Sequence, residues 1–530
     1  MNRVSLSLSL SLYAPLMLAS SAVAGVLRYE FVDVILPGNV ALSTVGDVVP
    51  AEINNQNVAV GYYLRVSDSQ GRPFIWTANG AFGLAAGEAY DIEPWVSFPL
   101  GGRLTDINGA GQAVGGRWVA AGGGTEERAC ELAFSFGPTV SLTMVATPSA
   151  SVLFGINDGT PVRTVGSRAA GSCIGASSQY YAFTHLAFSA SAPVDLQNAT
   201  GAGNSAHAIN SSAAPLVAGD TNGCANIFEC SPTWDATRWN AISGLATFVP
   251  ESGNFVTRAF NINEVSELAG AVENDGSSCT PRARLWSSTF VETALGELLP
   301  DAFTGGSYSI KSYAFDLSNS LPCGRQFVVG TNTAFQRGAA WWRCGSTWTG
   351  FYLTDSVSPL QPGVPAGWYA NDAKGVNDAG WVVGSGYASG YPAPRGFVLK
   401  PILCPADFDG DGTVGSADLG LFLGAFGCQS NPGAGCWRYD LTADGVVNGA
   451  DLALVTGGWG PCPCNCTTND AVSGGGAAAS ALYAGVSTID FAAAFGFASM
   501  DDLIVWMQTL GAEELDGVAA YMIAISSGGA

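Results

Sequence analysis

The chain has 530 residues, a net charge of −22, only 12% charged residues, 69 glycines and 48% apolar residues. That charge excludes nucleic acid as a partner, because a phosphate backbone would repel it. The apolar content excludes a disordered chain, and the glycine content with few charges suits a β-rich, multidomain extracellular protein.

Residues 1–24 read as a secretory signal peptide. Arg3 gives the positive start, Leu6 to Leu18 is apolar, and Ala22-Val23-Ala24 is a small-residue cleavage site. The expectation is cleavage after Ala24 and a secreted or cell-surface protein. No other run of eighteen apolar residues occurs, so no transmembrane segment is predicted. Thirteen cysteines in an exported chain then read as disulfides, with at least one free or paired between domains. Cys224 and Cys230 are close enough in sequence to bridge a hairpin.

Residues 25–402 carry a recurring phrase: an apolar residue, Asn, a few turn residues, then an apolar residue and Gly. It appears at Ile53-Asn54 with Val60-Gly61, Ile107-Asn108 with Val114-Gly115, and Ile156-Asn157 with Val165-Gly166. It recurs at Ile209-Asn210 with Ala218-Gly219, Ile262-Asn263 with Ala269-Gly270, and Val376-Asn377 with Val383-Gly384. A degenerate copy, Asp316-Leu317 with Val329-Gly330, completes the set. The phrase reads as two strands joined by a tight turn. A third apolar run with an aromatic follows, as in Phe74-Ile75-Trp76, and often a fourth, as in Val140-Ser141-Leu142. Four strands in each period of about 50–60 residues predict a seven-bladed β-propeller. The last copy has only three strands, and the lone strand Tyr29 to Ile35 is predicted to complete it and close the ring. The Asn residues are read as turn caps, the Gly residues as positions of positive φ, and the aromatics as core between blades.

These phrases resemble the bacterial extracellular HAF-type repeat, whose core is Ile-Asn-x-x-Gly-x-x-Val-Gly. The resemblance implies architecture and no defined activity.

Within the repeats no catalytic residue is nominated. There is no HExxH motif, no GxSxG elbow and no Walker loop. His185 and His207 read as structural. Glu52, Asp106, Asp220, Glu264 and Asp372 sit beside turn signals and read as solvated or turn-bonded.

From Cys404 to Cys462 an ion-loop pattern appears twice, DFDGDGTVGSAD from Asp407 and DLTADGVVNGAD from Asp440. Each copy has oxygen side chains at positions 1, 3, 5 and 12 and a Gly at position 6, as a hard divalent ion requires. Each runs into a helix-like apolar stretch, LGLFLGAFG or LALVTGGWG. Cys404, Cys428, Cys436 and Cys462 bracket the loops and are expected to staple a module too small for a large core.

This segment, residues 403–466, resembles a type I dockerin of a cysteine-flanked kind. Position 12 is Asp, and no helix can precede either loop. The resemblance implies two Ca2+ ions. The first would be held by Asp407, Asp409, Asp411, the carbonyl of Thr413 and Asp418. The second would be held by Asp440, Thr442, Asp444, the carbonyl of Val446 and Asp451, with Asn448 acting through water. Thr442 in place of a carboxylate or amide predicts a weaker second site. The resemblance also implies a cohesin-like partner contacted by Ser416, Ala417, Gly449 and Ala450.

Residues 467–478 read as a linker, and the remainder to 530 as a short helical tail beginning at Ser499. The fold class expected is therefore mainly β: a seven-bladed propeller, then a small α-helical calcium-binding dockerin module, then a short helical tail. The ring would be a binding or structural module. The rival is an enzyme on extracellular polysaccharide, a glycosidase or lyase, delivered by the dockerin.

Overall fold

The computed structural model describes residues 27–462, interrupted by short undescribed segments of which the longest are 36–44, 222–234 and 299–310, together with Trp506. The expected signal peptide, the Cys224–Cys230 bridge, the linker and the tail other than Trp506 lie outside the described residues. No helix among the described residues is long and apolar enough to cross a membrane.

The ring is a seven-bladed β-propeller. Blade 1 is built from Val45–Ile53, Val58–Arg65, Gly71–Thr77 and Glu88–Asp91, paired antiparallel in chain order. Five further four-stranded sheets repeat that order, opening with inner strands Gly102–Ile107, Ser151–Ile156, Asn204–Ile209, Phe255–Ile262 and Ser312–Leu317. Blade 7 has Tyr369–Ala370 and Gly375–Val376 innermost, then Val382–Tyr387 and Arg395–Ile402. Its outermost strand is Arg28–Ile35, antiparallel to Arg395–Ile402 from Arg28↔Ile402 to Ile35↔Gly396. The degenerate copy at Asp316-Leu317 is a full blade. Tyr29, Phe31 and Ile35 are buried, so this strand is held by core packing as well as by its ladder.

Successive sheets pack face to face through buried aromatics and aliphatics. Trp76, Trp239, Trp286 and Trp341 are each sealed from solvent. The repeated Asn does more than cap its turn. Asn108 Oδ1 accepts from Ala110 N and Gln112 N, closing the turn, while its Nδ2 donates to the carbonyl of Asn157 in the next blade at 3.0 Å. The same reach joins Asn54 to Asn108, Asn157 to Asn210, Asn210 to Asn263, Asn263 to Ser318, and Asn377 back to Asn54. The belt is broken where Ser318 replaces Asn. One residue on, a second belt runs along the surface: Asp158 accepts from Gly109 N, Ser211 from Asp158 N, Glu264 from Ser211 N, Asn319 from Glu264 N, Asp378 from Asn319 N, and Asn55 from Asp378 N. It is broken at Gly109, which has no side chain to offer. The two gaps fall at different blade junctions, so every junction keeps at least one of these links.

The repeated Gly of the Val-Gly pair is there for a different reason than positive φ. The inner strands of blades 1 to 6 each carry a register shift just before the repeated phrase, as at Leu104/Asp106 in blade 2 and Ala259/Asn261 in blade 5. The bulge drives a carbonyl oxygen toward the Gly opposite. A Cβ at Gly115 would lie 2.0 Å from Arg103 O, and one at Gly270 would lie 1.8 Å from Arg258 O. Only a residue without a side chain fits there.

His185 is structural, as expected. Its Nδ1 lies 2.9 Å from Glu131 Oε1 in the neighbouring blade and its Nε2 lies 3.1 Å from Ser191 O, with both side chains buried.

Candidate metal centre

The chain leaves the ring at Ile402 and enters the small module at once. Its core is Ala406, Phe408, Val414, Leu419, Phe422, Leu423, Val447, Leu452 and Val455. The two apolar stretches are helices, Ser416–Ala425 and Gly449–Gly457. Gly415 and Asn448 precede them in extended conformation, and the N3 carboxylates Asp418 and Asp451 accept from the Gly415 and Asn448 amides at 2.8 Å.

The module has an approximate internal twofold. Thr413–Val414 of the first loop pairs with Gly460–Pro461 beyond the second helix. Val447 of the second loop exchanges hydrogen bonds with Gly427 and Cys428 beyond the first helix. The disulfides follow the same symmetry. Cys404, ahead of loop 1, bonds Cys462 after helix 2; Cys436, ahead of loop 2, bonds Cys428 after helix 1. These are the four cysteines expected to staple the module, and the bonds fit an oxidising compartment. Cys130, buried in blade 2, is free.

Three carboxylates converge in each loop: Asp407, Asp409 and Asp418 in the first, Asp440, Asp444 and Asp451 in the second. Their oxygens lie within 4.8 Å of one another in each group. Two oxygens bound to one Ca2+ at about 2.4 Å can stand no further apart than about twice that distance, so both triads fit a single calcium ion. The donors are hard oxygens throughout. A third grouping, Asp407 with Cys404 and Cys462, is not a metal set, because those two sulfurs are bonded to each other.

Backbone amides hold these carboxylates in place. Asp407 Oδ2 accepts from Gly412 N at 2.9 Å, Asp409 Oδ1 from Asp411 N at 3.0 Å, and Asp418 Oδ1 from Phe408 N at 2.6 Å. In loop 2, Asp440 Oδ2 accepts from Gly445 N, and Asp451 Oδ1 from Thr442 N. Gly412 and Gly445, at position 6 of each loop, have φ of 86° and 92°. Burial pushes the Asp451 carboxyl above its ordinary range.

Four expected ligands stand differently. Asp411 lies outside the first triad, and its Oδ1 accepts from Thr413 N at 2.7 Å. Thr442 turns its hydroxyl toward Asp451 Oδ1 at 3.0 Å, so it acts as a donor within the loop. The Val446 carbonyl accepts from Asn448 Nδ2 at 3.0 Å, and the same amide donates to Asp444 Oδ2 at 2.9 Å. Asn448 therefore ties two would-be ligands together, with its Oδ1 spent on the helix start at Ala450 N. Of the expected partner-binding residues, Ala417 and Ala450 are exposed and Ser416 and Gly449 half-buried, all at the helix starts. From the tail, Trp506 packs against the module core.

The ring contains a second titratable cluster. Glu52 and Asp106, expected to be solvated or turn-bonded, occupy with Asp316 the same bulge position in blades 1, 2 and 6, and the three gather at the ring's axis. The bulge turns that position inward. Asp106 accepts from Ile107 N and, across the blade junction, from Ile156 N, both at 2.7 Å. Asp316 does the same with Leu317 N at 2.8 Å and Val376 N at 2.6 Å, and takes a further bond from Asn261. Glu52 bonds Ile53 N and faces Asp316. Glu52 and Asp106 keep a little surface toward the axial opening, yet protein encloses them, and this enclosure sets their proton affinity. Burial pushes Asp106 and Asp316 up to about 7 and raises Glu52 well above the ordinary carboxyl range. Asp220, expected to be solvated or turn-bonded, is instead buried, with Oδ1 accepting from Ala259 N in a strand of the next blade. Glu264 does bond a turn, at Ser211 N, as expected.

No family model matches the chain, and no curated protein matches it. Among solved structures it is similar to a PL25 ulvan lyase bound to a glucuronic acid–sulfated rhamnose ligand, at 11% identity over 61% of this chain and 86% of that one, with a TM-score of 0.33. It is also similar to the Niastella koreensis GH74 enzyme, at 12% identity over 70% of this chain and 52% of that one, with a TM-score of 0.36. A third is Porphyromonas gingivalis dipeptidyl peptidase 4, at 9% identity over 67% of this chain and 59% of that one, with a TM-score of 0.29. At these scores no activity transfers to the chain.

Proposed function

We propose that this chain is a secreted, calcium-dependent docking protein, in which the dockerin-like module attaches a propeller to a cohesin-like partner. The observation that carries the reading is the pair of carboxylate triads, each narrow enough for one Ca2+ and repeated about an internal twofold. The ion would bind the folded loops and not the unfolded chain, so calcium would stabilise the docking-competent shape by linkage. The exposed helix starts at Ala417 and Ala450 leave room for a partner beside both ions. Pull-down from the native secretome with and without EDTA tests this, paired with calcium titration of the purified chain. Calcium binding and EDTA-sensitive capture are expected; capture that survives excess EDTA counts against docking by this module.

The alternative, a glycosidase or polysaccharide lyase carried by the module, has one observation in its favour. His207 Nε2 lies 3.3 Å from Asp220 Oδ2, pairing an imidazole on an inner strand with a carboxylate on the adjoining strand, Leu216–Thr221. Depolymerisation of a polysaccharide that is abolished by His207→Ala would establish it.

A further inference from the structure

The inner strands carry a second inward-facing position, one residue before the axial carboxylates. Blades 3 to 7 place Phe154, His207, Phe260, Phe315 and Lys374 there, whereas blades 1 and 2 place only Ala51 and Thr105. The large side chains touch blade to blade. Ring centroids are 5.8 Å apart for Phe154–His207, 5.9 Å for His207–Phe260 and 5.4 Å for Phe260–Phe315. Lys374 Nζ stands 4.3 Å from the centroid of Phe315. The spacing stays nearly constant around four blades. Rings converging on the axis would crowd as they advanced, so these rings line the wall as a crescent. All five residues are half-buried, which leaves part of each side chain open. The open side of the crescent faces the two small residues, and its floor is the tier of Glu52, Asp106 and Asp316.

We propose that this crescent binds a neutral pyranose unit of an extracellular oligosaccharide. The inference rests on the reading of the ring as a binding module and names its site and ligand class. An aromatic wall with a few convergent polar groups is the composition of a small-molecule site. The carbon-bound hydrogens of a sugar face are weakly positive and suit the negative faces of Phe and His rings. Sugar hydroxyls are donors, and the floor is made of acceptors. Both carboxylate oxygens of Asp106, and Oδ2 of Asp316, each accept from one backbone amide and retain a lone pair, while Asp316 Oδ1 is filled by Leu317 N and Asn261 Nδ2. An acidic sugar would meet three acidic side chains, and the lysine at the end of the crescent, Lys374, already faces Asp372 Oδ2 at 3.5 Å.

The test uses the full-length, calcium-loaded protein on an array of neutral gluco-, manno-, galacto- and xylo-oligosaccharides, with a galacturonate trimer and choline as charged probes. Calorimetry follows on the best binder. At least one neutral oligosaccharide is expected to bind, and Phe260→Ala to weaken it by about tenfold, the loss of one stacking face. Ala51→Trp, which fills the open side and deletes no contact, is expected to weaken it at least as much, with melting curves confirming that both variants fold. Asp407→Ala, aimed at the first calcium loop, is expected to leave sugar binding unchanged, so failure of calcium docking and failure of this site are read separately. Binding by none of the neutral probes, binding by the charged probes alone, or unchanged affinity in both crescent variants would overturn the proposal.

Discussion

Arg28 Nη1 lies 3.1 Å from the carbonyl oxygen of Asp440, across 412 residues of sequence. Arg28 begins the strand that closes the ring, and Asp440 is position 1 of the second ion loop. Its guanidinium also faces the carboxylates of Asp440 and Asp451. The ring and the module are thus joined twice, by this contact from the closing strand and by the continuous chain from Ile402. A guanidinium beside the loop supplies positive charge that a bound Ca2+ would have to share. Arg28→Gln is expected to tighten the second site by several-fold, about 1 kcal/mol, while lowering the melting temperature in EDTA. Terbium titration read by luminescence, alongside melting curves, checks both; an unchanged affinity would reduce Arg28 to a structural donor.

The two loops should differ in affinity in a defined order. Loop 1 has four carboxylates, Asp407, Asp409, Asp411 and Asp418. Loop 2 has three, with Thr442 as a donor, Asn448 drawn onto Asp444 and Val446, and Arg28 at its edge. Fewer anions and a nearby cation weaken a calcium site. Calcium titration should resolve two steps, with Asp407→Ala removing the tighter and Asp440→Ala the weaker. Equal affinities or the reverse order would show that charge count does not govern these loops.

Closure of the ring by Arg28–Ile35 predicts that removing residues 25–37 destabilises the whole propeller. The deletion exposes the length of Arg395–Ile402 as a bare edge and uncovers the pocket of Tyr29, Phe31 and Ile35. Two or three large apolar side chains lost from a core cost about 2–5 kcal/mol each. Thermal melting monitored at the tryptophans is expected to shift down by well over ten degrees, and a truncated chain that melts like the intact one would show that the strand is an ornament.

The seven blades, the closing strand and the two carboxylate-lined loops were legible because each is marked by residue types at fixed offsets. What escaped notice was backbone register. A bulge has no side-chain signature of its own, so the inward turn of Glu52, Asp106 and Asp316 and the true demand for Gly115 and Gly270 were hidden. The role of Asn between blades did leave a trace. Asn54 and Val58 are bridged by a four-residue turn, Asn157 and Arg163 by a longer one, yet the Asn is kept. A residue retained while the turn it caps changes length is serving something outside the turn. Arg28 could not have been paired with Asp440 from sequence, since only ring closure brings them together.

The bulge argument makes the Val-Gly glycines intolerant of even one methyl group. Gly270→Ala would place Cβ 1.8 Å from Arg258 O, and Arg258 is itself buried against Glu273 at 3.0 Å. The strands must separate to admit it, at a cost of about 3 kcal/mol or more. Gly363→Ala is the control for backbone freedom alone: its φ is 87° but no atom lies within 4 Å of the added carbon, so its cost should stay near 1 kcal/mol. Chemical denaturation of the two variants compares them, and equal losses would show that φ and not close approach explains the repeat.

The axial carboxylates give the ring a pH dependence of definite sign. Asp106 and Asp316 titrate near 7 in the folded ring because burial disfavours their charged forms, and Glu52, facing Asp316 and Asp106, is raised as well. In the unfolded chain these carboxyls release their protons at about 4. Between those values the folded state holds more protons than the unfolded state, so stability falls as pH rises from about 4 to about 7 and levels off above. Asp158 adds a like charge beside Asp106, whereas the amides of Ile156 and Val376 favour ionised Asp106 and ionised Asp316 and offset the burial only in part. Glu52→Gln removes one of the three titrations while keeping the acceptor for Ile53 N. It is expected to raise the melting temperature at pH 8 and leave it nearly unchanged at pH 5, flattening the profile. Melting curves across that range in calcium-free buffer, where the loops do not contribute an ion-linked term, decide it; a variant whose profile runs parallel to the parent would mean that Glu52 carries no proton linkage in the ring.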